Sequence, residues 1–148
     1  MESKKSIVAK KTKTKKNYLV FISHSVEDRW MARQMANLLE VKGRGQGIKT
    51  FLDEKNIEGG QSIPEEIKKN LKACDEFIVL LSQDSINRQW VLIEIGGAWS
   101  HDKHIVAITD KVTPDAIPKV LTQYKAMDLN NFDDYLEELL QRAKGTKK

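Results

Sequence analysis

The chain has 148 residues, 40% of them hydrophobic and 31% charged, which makes one domain of ordinary size with enough apolar side chain to bury a core. Its net charge of +4 is more than accounted for by residues 1–16, which hold seven lysines and one glutamate, so the remainder is mildly acidic. That balance argues against a folded nucleic-acid-binding surface and leaves the basic arm only weak, salt-sensitive contact with polyanions. No apolar run approaches the roughly 20 residues needed to span a bilayer, and no apolar signal segment follows the lysines, so no membrane span and a cytoplasmic location are expected.

Residues 1–16 carry charge and no fold signal and are read as a disordered tail. Tyr18 to Ile22 is a continuous β-favouring run of the kind expected for a strand covered on both faces. It ends at Ser23-His24-Ser25, where Ser25 is placed to cap a helix with Asp28 three residues on. In that helix Trp30, Met31, Met35, Leu38 and Leu39 fall at helical spacing and are expected in the core, and Gly43 closes it. Gly43 to Gly47 reads as a flexible connector to a short strand, Ile48 to Leu52, which is followed by a polar, glycine-bearing loop from Asp53 to Gln61. Pro64 suits the first turn of the next helix, with Ser62 before it as a cap and Glu65 and Glu66 near the positive end of the helix dipole. Cys74, the single cysteine, excludes an internal disulfide and reads as a small core residue ahead of a third strand, Phe77 to Leu81.

A helix holding Glu94 comes next, then a strand from Ile105 to Ile108, a loop with Pro114 and Pro118, a short strand near Ala126 to Leu129 and a last helix from about Phe132 to Ala143. Residues 144–148 read as a frayed end, so the folded body is expected over 17–143. Five short strands separated by helices imply a parallel sheet with helices on both faces and right-handed crossovers. Ligands bind such folds outside the carboxyl ends of the strands, which selects Ser23 to Ser25, Asp53 to Gly60 and Ser82 to Trp90 as the rim.

Glu94 is the sole charged residue in Trp90-Val91-Leu92-Ile93-Glu94-Ile95-Gly96-Gly97-Ala98-Trp99. Isolating a carboxylate from water costs several kcal/mol unless it is paired, so a carboxylate kept there points to a use. Trp90 lies one turn earlier, where an i, i+4 pair shares a helix face. A Rossmann fingerprint is excluded because the glycines of Gly43 to Gly47 follow a helix and precede a strand. A phosphate-accepting receiver is excluded because no acidic pair follows the first strand. His101 and His104 stand at i, i+3 without a third ligand, so they read as helix-end residues and no metal site is expected.

These residues resemble the Toll/interleukin-1 receptor (TIR) domain family, of the bacterial or NAD-cleaving kind. The matching motifs are Tyr18 to Ser25, Phe51-Leu52-Asp53 with Ile57-Glu58-Gly59-Gly60, Phe77 to Ser82, and Trp90 followed four residues later by Glu94. Gly59-Gly60 stands where many relatives have Pro-Gly, and His24 where many have tyrosine. The resemblance implies a flavodoxin-like fold and NAD⁺ glycohydrolase activity with NAD⁺ as substrate and no cofactor. Glu94 would be catalytic; Phe21, Ser23, His24, Ser25, Asp53 and Trp90 would border the substrate. It also implies homotypic TIR–TIR assembly through the loop from Glu54 to Ser62, a sensor or effector protein as partner, and a role in bacterial immune defence. Two alternatives stay open: a non-catalytic TIR scaffold, and a nucleoside deoxyribosyltransferase, which has a similar fold and also uses a glutamate at an anomeric carbon.

Overall fold

A computed structural model describes residues 17–53 and 64–146. Within them the chain alternates β1 (Tyr18–Ser23), α1 (Arg29–Lys42), β2 (Ile48–Leu52), α2 (Glu65–Ala73), β3 (Glu76–Leu81), α3 (Gln89–Ser100), β4 (His104–Thr109), β5 (Ala126–Asp128) and α4 (Phe132–Thr146). The five strands form one parallel sheet in the order β2-β1-β3-β4-β5. Both the five-stranded α/β architecture and the helices on two faces are as the sequence implies. No helix among the described residues is long and apolar enough to cross a membrane.

Strand alternation divides the interior in two. Val20, Ile22, Ile78, Leu80, Val106 and Ile108 face α1 and α4, where Ala32, Met35, Leu39, Tyr135 and Leu139 cover them. Phe21, Phe77, Val79, Leu81, Ile105 and Ala107 face α2 and α3, under Ile67, Leu71, Val91, Ile95 and Ala98. Every residue of β3 is buried, as expected of a central parallel strand.

Several local expectations need correction. Trp30 and Leu38 are exposed, at 68% and 40%, because the buried stripe of α1 is Ala32, Met35, Ala36 and Leu39. Trp30 precedes Ala32 by two residues, about 200° around the helix axis, and so points to water. The Ser25 side chain accepts no backbone N–H; a 3-10 turn, Val26–Asp28, intervenes, the Ser25 carbonyl accepts from the Asp28 amide at 3.1 Å, and the Ser25 hydroxyl donates to the Asp28 carboxylate at 2.9 Å. Pro64 occupies the N-cap position, one residue before α2, and its carbonyl accepts from the amides of Ile67 and Lys68; Ser62 lies outside the described residues. His104 opens β4 opposite Glu76 and is not a helix-end residue. The last helix continues to Thr146.

Gly43 ends α1 for a steric reason. A Cβ there would sit 2.1 Å from Ile48 Cγ1 and 2.6 Å from the Leu39 carbonyl, so only glycine lets β2 start this close to the helix end. The connector is a built 3-10 turn, Arg44–Gln46, closed by Gly47 at φ 72°.

At the amino edge of the sheet, Glu76 is fully buried and well paired. It accepts hydrogen bonds from Tyr18 Oη (2.7 Å), Tyr135 Oη (2.5 Å), Arg142 Nε (3.0 Å) and Arg142 Nη2 (2.7 Å). This cluster ties β1 and α4 to β3, with the buried charge offset by a guanidinium and two tyrosine hydroxyls.

Candidate active site

The carboxyl edge of the sheet holds the second buried glutamate, in a different condition. Glu94 is the sixth residue of α3, in its second turn, and only 1% exposed. Val91, Ile95 and Ala98 hold that face of α3 against the sheet, so the helix cannot turn Glu94 outward without exposing them. Its Oε1 accepts a 2.5 Å hydrogen bond from Ser23 Oγ at the end of β1. Its Oε2 is buried and has no hydrogen-bond partner. Where Glu76 has an arginine and two tyrosines, Glu94 has a serine hydroxyl and the Asp53 carboxyl, and no arginine or lysine among the described residues.

Burial pushes the Glu94 carboxyl well above the ordinary carboxylate range. The Asp53 carboxyl beside it pushes the same way, while the Ser23 hydroxyl and Trp90 oppose the shift. Asp53 follows β2 directly, is 5% exposed, and accepts a hydrogen bond from the Trp90 indole N–H. Ser23, Asp53, Trp90 and Glu94 thus come from three parts of the chain and meet at one point, on the rim where ligands bind open parallel sheets.

Trp90 and Glu94 share the α3 face that lines a groove of about 230 Å³ between α2 and α3. Ile67, Leu71, Ile93 and Gly97 supply its apolar walls, and the exposed Lys68, Lys72 and His101 stand along it. A Cβ on Gly97 would lie 3.0 Å from Leu71 Cδ1, so glycine helps keep the two helices this close.

The remaining candidates divide. Phe21 is fully buried between Phe51 and Phe77, with ring centroids at 5.1 and 5.4 Å, on the same face of β1 as Ser23. The Ser25 hydroxyl is committed to Asp28, which also accepts from Ser82 Oγ at 2.5 Å, and so braces the β1–α1 turn. His24 is 4% exposed; its Nδ1 donates to the Ser25 carbonyl and its Nε2 is buried without a partner. The Cys74 thiol is buried, donates to the Leu71 carbonyl and is pushed up by burial to about 11, which disqualifies it as a nucleophile. Residues 54–62, expected to mediate assembly, lie outside the described residues. The Trp90–Asp53 tie and the groove are not legible in the sequence, because both need a contact between residues far apart in the chain.

The TIR-domain family profile matches residues 20–140. The chain belongs to the TIR-domain family. This TIR domain is 27% identical over 139 residues to a probable 2′ cyclic ADP-D-ribose synthase, TcpO, of Methanobrevibacter olleyae, a match covering 93% of the chain and 36% of that protein. It is 28% identical over 109 residues to the 2′ cyclic ADP-D-ribose synthase AbTIR of Acinetobacter baumannii (strain 1295743), covering 70% of the chain and 39% of that protein. The chain therefore spans less than two fifths of the length of either curated relative. Among solved structures it is similar to the TIR domain of the Toll-related receptor TRR-2 of Hydra magnipapillata. That match has a TM-score of 0.62 and 21% identity, and covers 84% of this chain and 97% of that one, which shows the fold.

Proposed function

We propose that this TIR domain cleaves the bond between nicotinamide and ribose in NAD⁺, giving nicotinamide and ADP-ribose or a cyclic ADP-ribose isomer, and serves in bacterial immune defence or as an effector. The observation behind the reading is the half-satisfied Glu94: a buried carboxyl with one oxygen held by Ser23 and the other open, at the ligand-binding edge of the sheet. The two relatives are named as synthases of 2′ cyclic ADP-D-ribose, a product of the kind proposed here. Nicotinamide in NAD⁺ is already cationic, so as the glycosidic bond breaks its electron pair passes to the ring nitrogen and neutralises the leaving group. A general acid is not needed, in contrast to the two-carboxylate pattern of ordinary glycoside hydrolysis. The positive charge moves to the ribose ring, where a single fixed carboxylate stabilises it, more strongly where water is scarce, until water or a hydroxyl of the same molecule bonds to the anomeric carbon and releases its proton, giving ADP-ribose or the cyclic isomer.

Activity is expected in a self-associated state. Besides Glu94, α3 presents an outward apolar face, with Leu92, Ile93 and Trp99 exposed at 40%, 44% and 51%, which suits contact with another protein surface. Incubating the protein with NAD⁺ over a wide dilution series, with products identified by mass spectrometry, tests both parts. Specific activity that rises with concentration supports them. Constant specific activity from a monomer would sink the assembly part, and no turnover even when assembled would return the domain to a scaffold role.

A further inference from the structure

The hydrogen bond from Ser23 to Glu94 joins the end of β1 to the second turn of α3, across 71 residues of chain. Such a bond weakens steeply as its partners separate, so the two segments must be held in register. Asp28 is placed to do this. Its Oδ2 accepts from Ser25 Oγ at 2.9 Å, two residues beyond Ser23, and from Ser82 Oγ at 2.5 Å, in the loop that leads from β3 into α3. Asp28 stands at the N-cap position of α1, where an aspartate ordinarily accepts a backbone N–H, yet its side chain makes no capping bond there. Its carboxylate goes to the two serine hydroxyls instead. We propose that Asp28 is a positioning residue of the active site: by accepting both hydroxyls through one oxygen it clamps the β1–α1 turn to the β3–α3 loop and keeps Ser23 within reach of Glu94. The inference rests on the NAD⁺-cleaving reading for its kinetic consequence, not for the clamp itself.

Sheet pairing fixes only one side of the Ser23–Glu94 contact. Ser23 lies opposite Val79, but β3 ends at Leu81 and α3 begins at Gln89. Residues 82–88 take their shape from local bonds that start at Ser82. Its amide donates to Ser85 Oγ at 2.8 Å, and its carbonyl accepts from the amides of Ser85 and Ile86 at 3.2 and 3.1 Å. The Ser85 carbonyl then accepts from the amide of Arg88, and the Arg88 carbonyl from that of Leu92 inside α3, both at 3.1 Å. A displacement of Ser82 is therefore passed to the first turn of α3. The Ser82 hydroxyl also accepts from the amide of Asp84 at 3.1 Å, which polarises its O–H toward Asp28. Ser25 and Ser82 are 4% and 6% exposed, so water competes poorly for this tie. A second tie between the same segments, Arg88 Nη2 to Glu27 Oε2 at 2.7 Å, has side chains 53% and 44% exposed and contributes little against water and salt.

The test follows the Glu94 carboxyl by carbon-13 NMR across pH in the full chain, with its signal assigned through Glu94→Gln, and measures kcat and KM for NAD⁺ in parallel. The variants are Asp28→Ala, Ser82→Ala, Asp28→Asn and, at the opposite edge of the sheet, Gly43→Ala. The groups facing Glu94 are the same in all four: Ser23 from β1, Asp53 after β2, Trp90 from its own helix, and the exposed Lys68, Lys72 and His101 along the groove. The Ser23 hydroxyl favours the ionised carboxyl, so Asp28→Ala and Ser82→Ala, by loosening that bond, should move the Glu94 titration to higher pH. They should lower kcat by about tenfold or more and change KM by less than about threefold. Asp28→Asn keeps an acceptor oxygen and should stay within about threefold of wild type on both constants. Gly43→Ala costs stability without touching either segment and should move neither the titration nor kcat. Should Asp28→Ala fail to fold by circular dichroism, Ser82→Ala decides, since it breaks the same tie from the other side; if neither folds, the clamp serves the fold and the proposal falls. An unmoved titration in the folded alanine variant, an asparagine variant as impaired as the alanine one, or an equal effect of Gly43→Ala would overturn it. If wild type never cleaves NAD⁺, the glycohydrolase reading fails and the titration alone decides the clamp.

Discussion

Replacing Glu94 with glutamine keeps the shape of the side chain and removes its charge, and the structure predicts opposite effects on activity and stability. The new amide oxygen can still accept from Ser23, and the amide N–H₂ meets the Asp53 side, where the native oxygen has no donor. Loss of a charge that stabilises a cationic transition state should cut NAD⁺ turnover roughly a hundredfold or more, which is about 2.7 kcal/mol or more of barrier. Folding should gain. Because the Glu94 carboxyl is raised above its unfolded range, the folded state binds that proton more tightly than the unfolded state. Stability linked to Glu94 is therefore complete below the ordinary carboxylate range and is lost as pH rises through the raised folded value. Glutamine has no such dependence. A neutral amide in place of a buried, half-partnered carboxyl should stabilise the domain by about 1–3 kcal/mol near pH 8, or roughly 2–10 °C in Tm, and by little near pH 4. Thermal melts of both proteins from pH 4 to 9, with NAD⁺ turnover on the same preparations, provide the check. A Glu94→Gln protein that melts below wild type at every pH would refute the claim that this carboxyl is kept against stability. Unchanged turnover would refute its assignment to catalysis.

Arg142→Leu should destabilise by about 3–5 kcal/mol in denaturant titration, since it strands Glu76 as a buried charge held only by two tyrosine hydroxyls. Gly43→Ala should cost about 1–3 kcal/mol in the same assay, because the new Cβ meets Ile48 and the Leu39 carbonyl and neither can withdraw without moving β2 or α1. Trp30→Ser, at an exposed position of α1, should change stability by no more than about 0.5 kcal/mol; a larger loss by thermal melt would show that the ring is buried in solution. Trp99→Glu should leave the monomer's melting temperature nearly unchanged while shifting light scattering toward monomer and lowering specific activity at high concentration, if the exposed face of α3 carries assembly.

The sheet and its covering helices were legible in the sequence because they depend on local pattern. Five β-favouring runs alternating with helical periodicity leave few topologies once right-handed crossovers are required, and β1, β3 and β4 fall where their apolar runs place them. Glu94 was legible for a related reason: a single charge in a ten-residue apolar run is anomalous on composition alone. Periodicity was less informative inside α1, where Trp30 and Leu38 share a rough helical spacing with the core residues but fall outside the stripe set by Ala32, Met35, Ala36 and Leu39. Hydrophobicity alone does not say which side of α1 meets the sheet; the fold buries the side that carries Ala32, Met35, Ala36 and Leu39.

What separates the two buried glutamates was decided only by the fold. Glu76 and Glu94 each sit beside apolar sequence, and nothing local says that one will meet Arg142 and two tyrosines while the other meets a serine and an aspartate. Those partners are 58, 59 and 66 residues from Glu76, and Ser23 is 71 residues from Glu94. Pairing across such separations is fixed by strand order, which sets Ser23 and Asp53 at the carboxyl edge and Tyr18 at the amino edge. The sequence supplies the charges and the helix faces that carry them; the sheet determines which carboxyl is paired with an arginine and which keeps a buried oxygen without a donor, because desolvation and pairing act through space and not along the chain.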